Sequence, residues 1–250
     1  MIGYVFPGQA AQFEGMGIEL LERGDMAIKM LDQANEVLGF DLKEVMVNGS
    51  LDDLKQTKVT QPAVYVHSIV RLMTTGSVDD IGAVAGHSLG EISALVAAGV
   101  LDYAEGLELV RTRAFSMQRA CELASGTMAA IVGMDDEKII DICNGIDEIV
   151  LAANFNCPGQ TVISGSIKGI DIAVEKLKEA GAKRAIVLQV GGAFHSALMQ
   201  PAKEELAEKI NVLEFKQPKC PVYQNVDAQP YTEAVKIKEN LIDQLTSPVK

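Results

Sequence analysis

The feature that most constrains what this chain can fold into is a regular alternation of short apolar runs with longer amphipathic stretches. "IGYVFPG" is an apolar run ended by Pro7-Gly8, which predicts a buried strand followed by a loop. Leu20, Leu21, Met30, Leu31, Ala34 and Leu38 recur at helical spacing, so a helix is expected within residues 16–40. "QPAVYVHSIVRLMTT" predicts another helix, with Pro62 in its first turn. "IGAVAG" reads as a second short strand, followed by the helix "EISALVAAGV". The longer helix "YAEGLELVRTRAFSMQRACELA" then keeps Leu107, Val110, Ala114, Met117 and Cys121 on one face. Strands alternating with helices predict an α/β fold with a parallel sheet covered on both faces.

Near residue 126 the rhythm changes. "TMAAIVGM" predicts a strand, "DDEKIIDICNG" a helix, and "IVLAANFN" and "QTVISGS" two strands around the Pro158-Gly159 turn. "IKGIDIAVEKLKEAG" predicts a helix closed by Gly181, and "AKRAIVLQV" a final strand. The order β-α-β-β-α-β is that of a ferredoxin-like unit. The expected organisation is an α/β core over 1–125 and 190–250, interrupted by a small ferredoxin-like α+β insertion at 126–189. The tail supplies a helix around 198–210, a short strand in "CPVYQNV" and a last helix in "EAVKIKENLIDQL".

Composition narrows the function classes. A net charge of -12 argues against nucleic acid, whose phosphates require a basic face, and against an anionic membrane surface. No run approaches the roughly 18 apolar residues of a membrane span, and the start lacks a basic leader, so a cytoplasmic protein is expected. Cys121, Cys143, Cys157 and Cys220 have no C-x-x-C spacing and read as reduced, mostly buried thiols. The three histidines also lack ligand spacing, so no metal site is expected.

The chemistry centres on "GHSLGE". Residues 86–90 fit G-x-S-x-G, a serine carried on a sharp strand-to-helix turn. Such a turn crowds the positions two before and two after the serine, which would explain Gly86 and Gly90. A blander reading also fits: Ser88 and Glu91 form the S-x-x-E of a helix capping box. A nucleophilic serine needs a base. His67 lies inside an apolar helical run, and His87 adjoins the serine with its ring expected to point away. His195, after a Gly-Gly loop leaving a strand, is the favoured base, against a role in packing or capping the helix that follows. No acid presents itself as a third member; Asp227 follows the histidine, and a backbone carbonyl could hold the imidazole instead.

Taken together, "FPGQAAQ", "GHSLGE", "VRTRAFSMQ", "NFNCPGQTVISG", "AFHSALM", "NVDA" and "QLTSPVK" resemble the malonyl-CoA:acyl-carrier-protein transacylases, in order and over essentially the whole chain. The resemblance implies a hydrolase-like α/β core with a ferredoxin-like insertion. It implies Ser88 as nucleophile, His195 as general base and acid, and Gln9 with the backbone N–H of Leu89 as the oxyanion hole. It makes Arg113, Phe194 and Met117 substrate-binding residues, Arg113 gripping the malonyl carboxylate and Phe194 limiting room beside the acyl α-carbon. Malonyl-CoA would be the substrate, with no bound cofactor, and an acyl carrier protein the partner of a monomeric enzyme in fatty acid or polyketide synthesis. Family members usually continue for several dozen residues, and their backbone near the Pro-Val segment orients the histidine, so Lys250 or its neighbours are expected to do so here. Lys168, Lys176, Lys178, Lys183 and Arg184 are candidates for docking an acidic carrier protein. Two alternatives stay open. One is a serine esterase or thioesterase, which has no use for a carboxylate clamp at Arg113; the other is a non-catalytic homologue that only binds carrier protein.

Overall fold

The structure, a computed structural model, describes residues 2–75 and 81–250. In chain order the elements are β1 (Ile2–Phe6), α1 (Ile18–Leu21), α2 (Asp25–Leu38), α3 (Leu42–Asn48), α4 (Leu51–Lys55), α5 (Thr57–Thr74), β2 (Ile81–Gly86), α6 (Leu89–Ala97) and α7 (Tyr103–Leu123). They continue as β3 (Gly126–Val132), α8 (Asp136–Asn144), β4 (Val150–Cys157), β5 (Gln160–Ser166), α9 (Ile167–Glu179) and β6 (Arg184–Val187). The last are α10 (Gln200–Val212), β7 (Val222–Tyr223), β8 (Pro230–Tyr231) and α11 (Ala234–Asp243). The chain divides into two units, Met1–Phe115 with Leu206–Asn240, and Ser116–Glu205 with Leu241–Lys250.

The first unit holds a sheet in the order β1-β2-β7-β8, in which β1, β2 and β7 run parallel and β8 turns back against β7. Phe6 lies opposite Gly86, and Val84 opposite Val222, so the ends of β1, β2 and β7 converge where β2 hands over to α6. Every residue of α6 is buried. A helix without a polar face belongs in a core, and α5 packs on this one.

Three expectations for this unit change. The helix expected within 16–40 is two helices, α1 and α2, separated where Gly24 takes φ 89, a left-handed conformation that ends one helix and starts another. Pro62 is not in a first turn. Helix α5 starts at Thr57, where its opening turn closes on the Gln56 carbonyl through the N–H groups of Val59 and Thr60, each at 2.8 Å. The β-branched residues of "TKVT" are weak helix formers and conceal this extra turn in the sequence. Strand β1 is not buried throughout: Ile2 is 53% and Val5 82% exposed, and only Phe6 is buried. Among the described residues β1 pairs on one side only, with β2, so it is an edge strand.

The second unit carries the β-α-β-β-α-β order expected of "TMAAIVGM" to "AKRAIVLQV", as an antiparallel sheet in the order β4-β5-β3-β6. Its core gathers Ile131, Ile139, Ile163, Ile170 and Leu177 from the sheet and from α8 and α9. Each of these burials contributes about 1.5–3 kcal/mol. Asp135 caps α8 by accepting from Glu137 N–H, and Ser166 caps α9 by accepting from Gly169 N–H, both at 3.0 Å. Strand β6 is shorter than its apolar run, ending at Val187. Next to β4, Val249 forms a parallel bridge: its N–H donates to the Ala153 carbonyl, and its carbonyl accepts from Phe155 N–H, both at 2.8 Å.

Candidate active site

The serine turn is built by steric exclusion. A Cβ on Gly86 would lie 2.0 Å from the backbone of Gly90, and a Cβ on Gly90 would lie 2.2 Å from the Phe6 carbonyl oxygen. Only glycine permits both approaches, which accounts for the two residues that a capping box leaves unexplained. Between them Ser88 takes φ 52 and ψ -103, a conformation that costs a non-glycine residue about 1–3 kcal/mol. His87 is exposed, and its N–H donates to the Phe6 carbonyl at 3.0 Å, tying the turn to the end of β1.

The capping box is absent. The Ser88 side chain makes no cap hydrogen bond; its Oγ accepts from Arg113 Nη2 at 2.8 Å. Glu91 is fully buried, and its carboxylate accepts from the Asn225 N–H at 2.7 Å and from Gln224 Nε2 at 3.3 Å. Asn225 in turn accepts at Oδ1 from the Ser88 N–H at 2.6 Å and donates from Nδ2 to the Gly86 carbonyl at 2.7 Å. The acid that a capping box would turn back onto the helix start therefore holds the loop after β7.

Arg113 departs most from a solvated helix arginine. Its neighbour Arg111 lies 5.7 Å from the Phe115 ring, and Arg119 pairs with Glu205 at the surface. Arg113 is only 2% exposed and donates from Nη1 to Gln61 Oε1 at 2.7 Å, besides its bond to Ser88. Burial pushes its pKa down to about 10, and the charge of Glu91 opposes that fall. The guanidinium is therefore charged at neutral pH, and its planar fork spans Gln61 and the serine oxygen. Gln9, half-buried, lies in the loop after β1, just before Ala10 at φ 81. Leu89 is the first residue of α6, so its N–H is one of those that a helix start leaves without an intrahelical acceptor.

In the second unit His195 is buried and also takes a positive φ, 57. Its Nδ1 lies 3.0 Å from the Gln244 carbonyl oxygen. A carbonyl can only accept, so Nδ1 carries the proton and Nε2 has the lone pair of a base. The support expected from Lys250 or its neighbours thus comes from Gln244, at the start of a 3-10 turn, while Val249 is engaged with β4. Phe194 and Met117 are both buried. Asp227 is taken up locally, accepting from Tyr231 Oη and from Gln229 N–H. Burial pushes the Cys121 and Cys143 thiols up to about 11, which leaves them protonated at neutral pH. Among the described residues no group of three His, Cys, Asp or Glu could hold a metal ion.

Sequence reasoning missed Gln61, Gln224, Asn225 and Gln244. Asn225 and Gln244 left a signal, inside the "NVDA" and "QLTSPVK" segments; the first suggested no role for Asn225, and the second pointed to its Pro-Val end rather than to Gln244. Gln61 contacts Arg113 across 52 positions and Asn225 contacts Ser88 across 137, separations that no local pattern encodes.

A parallel sheet with a serine at a strand-to-helix turn, in a chain that also carries a smaller antiparallel subdomain, places the chain among α/β proteins with a hydrolase-like core. More narrowly, the chain belongs to the acyl transferase domain family, whose model matches residues 3–250. It is 45% identical to the malonyl CoA-acyl carrier protein transacylase of Bacillus subtilis (strain 168) over 255 aligned residues, covering 100% of this chain and 80% of that protein. An acyl carrier protein S-malonyltransferase from Vibrio cholerae superposes with a TM-score of 0.92 at 44% identity, covering 99% of this chain and 82% of the other. A malonyl-transacylase solved in complex with its type II polyketide synthase acyl-carrier protein gives a TM-score of 0.93 at 38% identity, covering 99% and 82%. Among the described residues no helix is long and apolar enough to cross a membrane.

Proposed function

We propose that this protein transfers a malonyl group from malonyl-CoA, through a serine ester, to the phosphopantetheine thiol of an acyl carrier protein. The observation that carries the reading is the buried Arg113 guanidinium on the Ser88 oxygen, 2.8 Å away, in a chain 45% identical to a malonyl transacylase. A cation with that placement suits an acyl group ending in a carboxylate, and an esterase for neutral acids has no need of it. We place the reaction in the cytoplasm.

In this reading Ser88 Oγ attacks the thioester carbonyl carbon as its proton passes to His195 Nε2. The carbonyl electrons move onto oxygen, where the Gln9 amide and the Leu89 N–H hold the developing charge. Collapse of the tetrahedral intermediate breaks the carbon–sulfur bond, and coenzyme A leaves as the thiol with the proton from His195. The malonyl carboxylate replaces Ser88 Oγ on Arg113, while Gln61 keeps the guanidinium in place. Phe194 and Met117 line the acyl group. The carrier protein's thiol then reverses these steps, with His195 taking its proton and returning one to Ser88. Lys168, Lys176, Lys178, Lys183 and Arg184 are all exposed and are our candidates for meeting the acidic carrier, although Lys168 already pairs with Glu148 at 2.7 Å.

Intact-mass measurement after mixing with malonyl-CoA tests the reading. The expected result is one malonyl adduct that maps to Ser88 and disappears when carrier protein is added. A folded sample without that adduct would overturn it.

A further inference from the structure

We propose that Asn225 is a positioning residue for acyl transfer: its side-chain amide holds the Ser88 turn in its strained form and determines which turn N–H can serve the oxyanion. The inference rests on the reading of Ser88 as the acyl carrier. It goes beyond that reading by assigning work to a residue outside the nucleophile, base, hole and clamp.

Both ends of the amide are used. Oδ1 accepts from the Ser88 N–H at 2.6 Å, and Nδ2 donates to the Gly86 carbonyl at 2.7 Å. Gly86 is the last residue of β2 and Ser88 precedes the first of α6, so one planar group bridges the two sides of the turn. The placement of Asn225 follows from sheet register. Strand β7 pairs with β2 through Val84–Val222 and Ala85–Tyr223, which delivers the residues after Tyr223 alongside the turn. Asn225 is itself fixed from behind, because its N–H donates to the Glu91 carboxylate at 2.7 Å. Gln224 Nε2 reaches the same carboxylate at 3.3 Å and the Ile237 carbonyl at 3.0 Å, and its Oε1 accepts from Asn240 Nδ2 at 2.9 Å. Asn225, Glu91, Gln224 and Asn240 are all buried, so these bonds compete little with water and form a cross-supported network.

Two consequences follow. Ser88 keeps φ 52 against its own preference because the surrounding bonds over-determine the turn. The Ser88 N–H is committed to Asn225, so the backbone donor that the turn can offer to an oxyanion is that of Leu89. Loss of the amide would release both restraints at the reacting atom and leave distant contacts with the CoA moiety as they were.

The test compares wild type, Asn225→Ala and Asn225→Asp by rapid-quench intact mass with malonyl-CoA over a range of pH, with thermal midpoints recorded. Folded Asn225→Ala is expected to acylate about 10–100-fold more slowly, with KM for malonyl-CoA within about threefold, because a loosened turn impairs the attacking geometry more than binding. Asn225→Asp carries a sharper signature. A protonated acid reproduces both bonds, accepting from Ser88 and donating to Gly86, whereas a carboxylate faces the Gly86 carbonyl and the Glu91 charge. Its rate relative to wild type at the same pH should therefore rise as pH falls. A wild-type acylation rate in Asn225→Ala, or a flat relative profile in Asn225→Asp, would overturn the inference. If Asn225→Ala does not fold, the Asn225→Asp profile decides alone. Absence of an adduct on wild-type Ser88 would overturn the reading of the site and this inference with it. An adduct on wild type with unchanged rates in both variants would overturn the inference alone.

Discussion

Arg113 Nη2 donates to Ser88 Oγ at 2.8 Å, joining a buried cation directly to the oxygen that the turn presents. A guanidinium on a hydroxyl oxygen favours the ionised form of that hydroxyl and offers a ready site for a carboxylate. Arg113→Ala should therefore lower the rate of malonyl loading by about 10–150-fold, the equivalent of one charge-assisted hydrogen bond of about 1.5–3 kcal/mol. Loading from acetyl-CoA, which brings no carboxylate, should fall much less. The ratio of malonyl to acetyl adducts on Ser88, measured by mass, checks this. An unchanged ratio would favour the esterase reading.

The same cation sets a pH limit. Burial lowers the pKa of Arg113 from the usual arginine range to about 10, so in the folded protein it loses its proton earlier than in the unfolded chain. Malonyl preference should hold at neutral pH and decline as pH rises through about 10. Stability should move the opposite way. Above about 10 the unfolded chain binds the proton more tightly, so this residue's contribution to folding becomes more favourable as pH rises toward the ordinary arginine range. Competition between malonyl-CoA and acetyl-CoA across this range reads the first effect, with acetyl loading as the internal control.

Gln61 accepts from Arg113 Nη1 at 2.7 Å and is fully buried. Gln61→Ala would leave that nitrogen without its acceptor and let the fork rotate. KM for malonyl-CoA is expected to rise by about tenfold, in line with a lost bond to a charged group, while acetyl loading stays near wild type. Steady-state kinetics with both thioesters separate this from a general loss of fold, which would depress the two together.

Gly86→Ala and Gly90→Ala should act on the turn itself. Their methyl groups would meet backbone atoms at 2.0 and 2.2 Å, and backbone cannot swing aside as a long side chain can. Each is expected to cost more than about 3 kcal/mol or to abolish folding. Chemical denaturation with a wild-type reference measures it. A variant as stable as wild type would show that the turn can relax.

His195 depends on the segment that follows α11 through Gln244. The 3-10 turn that presents the Gln244 carbonyl runs straight into Val249, which is bonded to β4 through Ala153 and Phe155. Removing residues 247–250 should therefore free the carbonyl and slow acylation by about tenfold or more, with little change in KM, because a misoriented base affects the chemical step. Single-turnover acylation against pH gives the readout; an unaltered rate would mean that the 3-10 turn holds without its anchor.

Much of the fold was legible in the residues themselves. Period-2 and period-3.6 patterns located β2, α6, α7 and the β-α-β-β-α-β order, because a side chain's direction follows directly from local backbone geometry. Boundaries were less legible where a turn depended on one conformation, as at Gly24, or where weak helix formers opened a helix, as before Pro62. The exposure of β1 also escaped, since an apolar run does not say whether a strand has neighbours on both sides.

For the candidate site, the sequence alone determined the serine turn, with glycines at 86 and 90 because nothing larger fits, and it singled out His195 as the candidate base. Only the tertiary structure decided what the charged and amide groups do. Glu91 became an anchor for Asn225 instead of a helix cap, Arg113 was taken out of water onto Ser88 and Gln61, and Gln244 supplied the carbonyl for His195. The physical reason is one of range. Steric limits act between residues close in the chain and leave a mark in the letters, whereas a buried hydrogen bond is chosen by whichever partner the packed fold brings within reach.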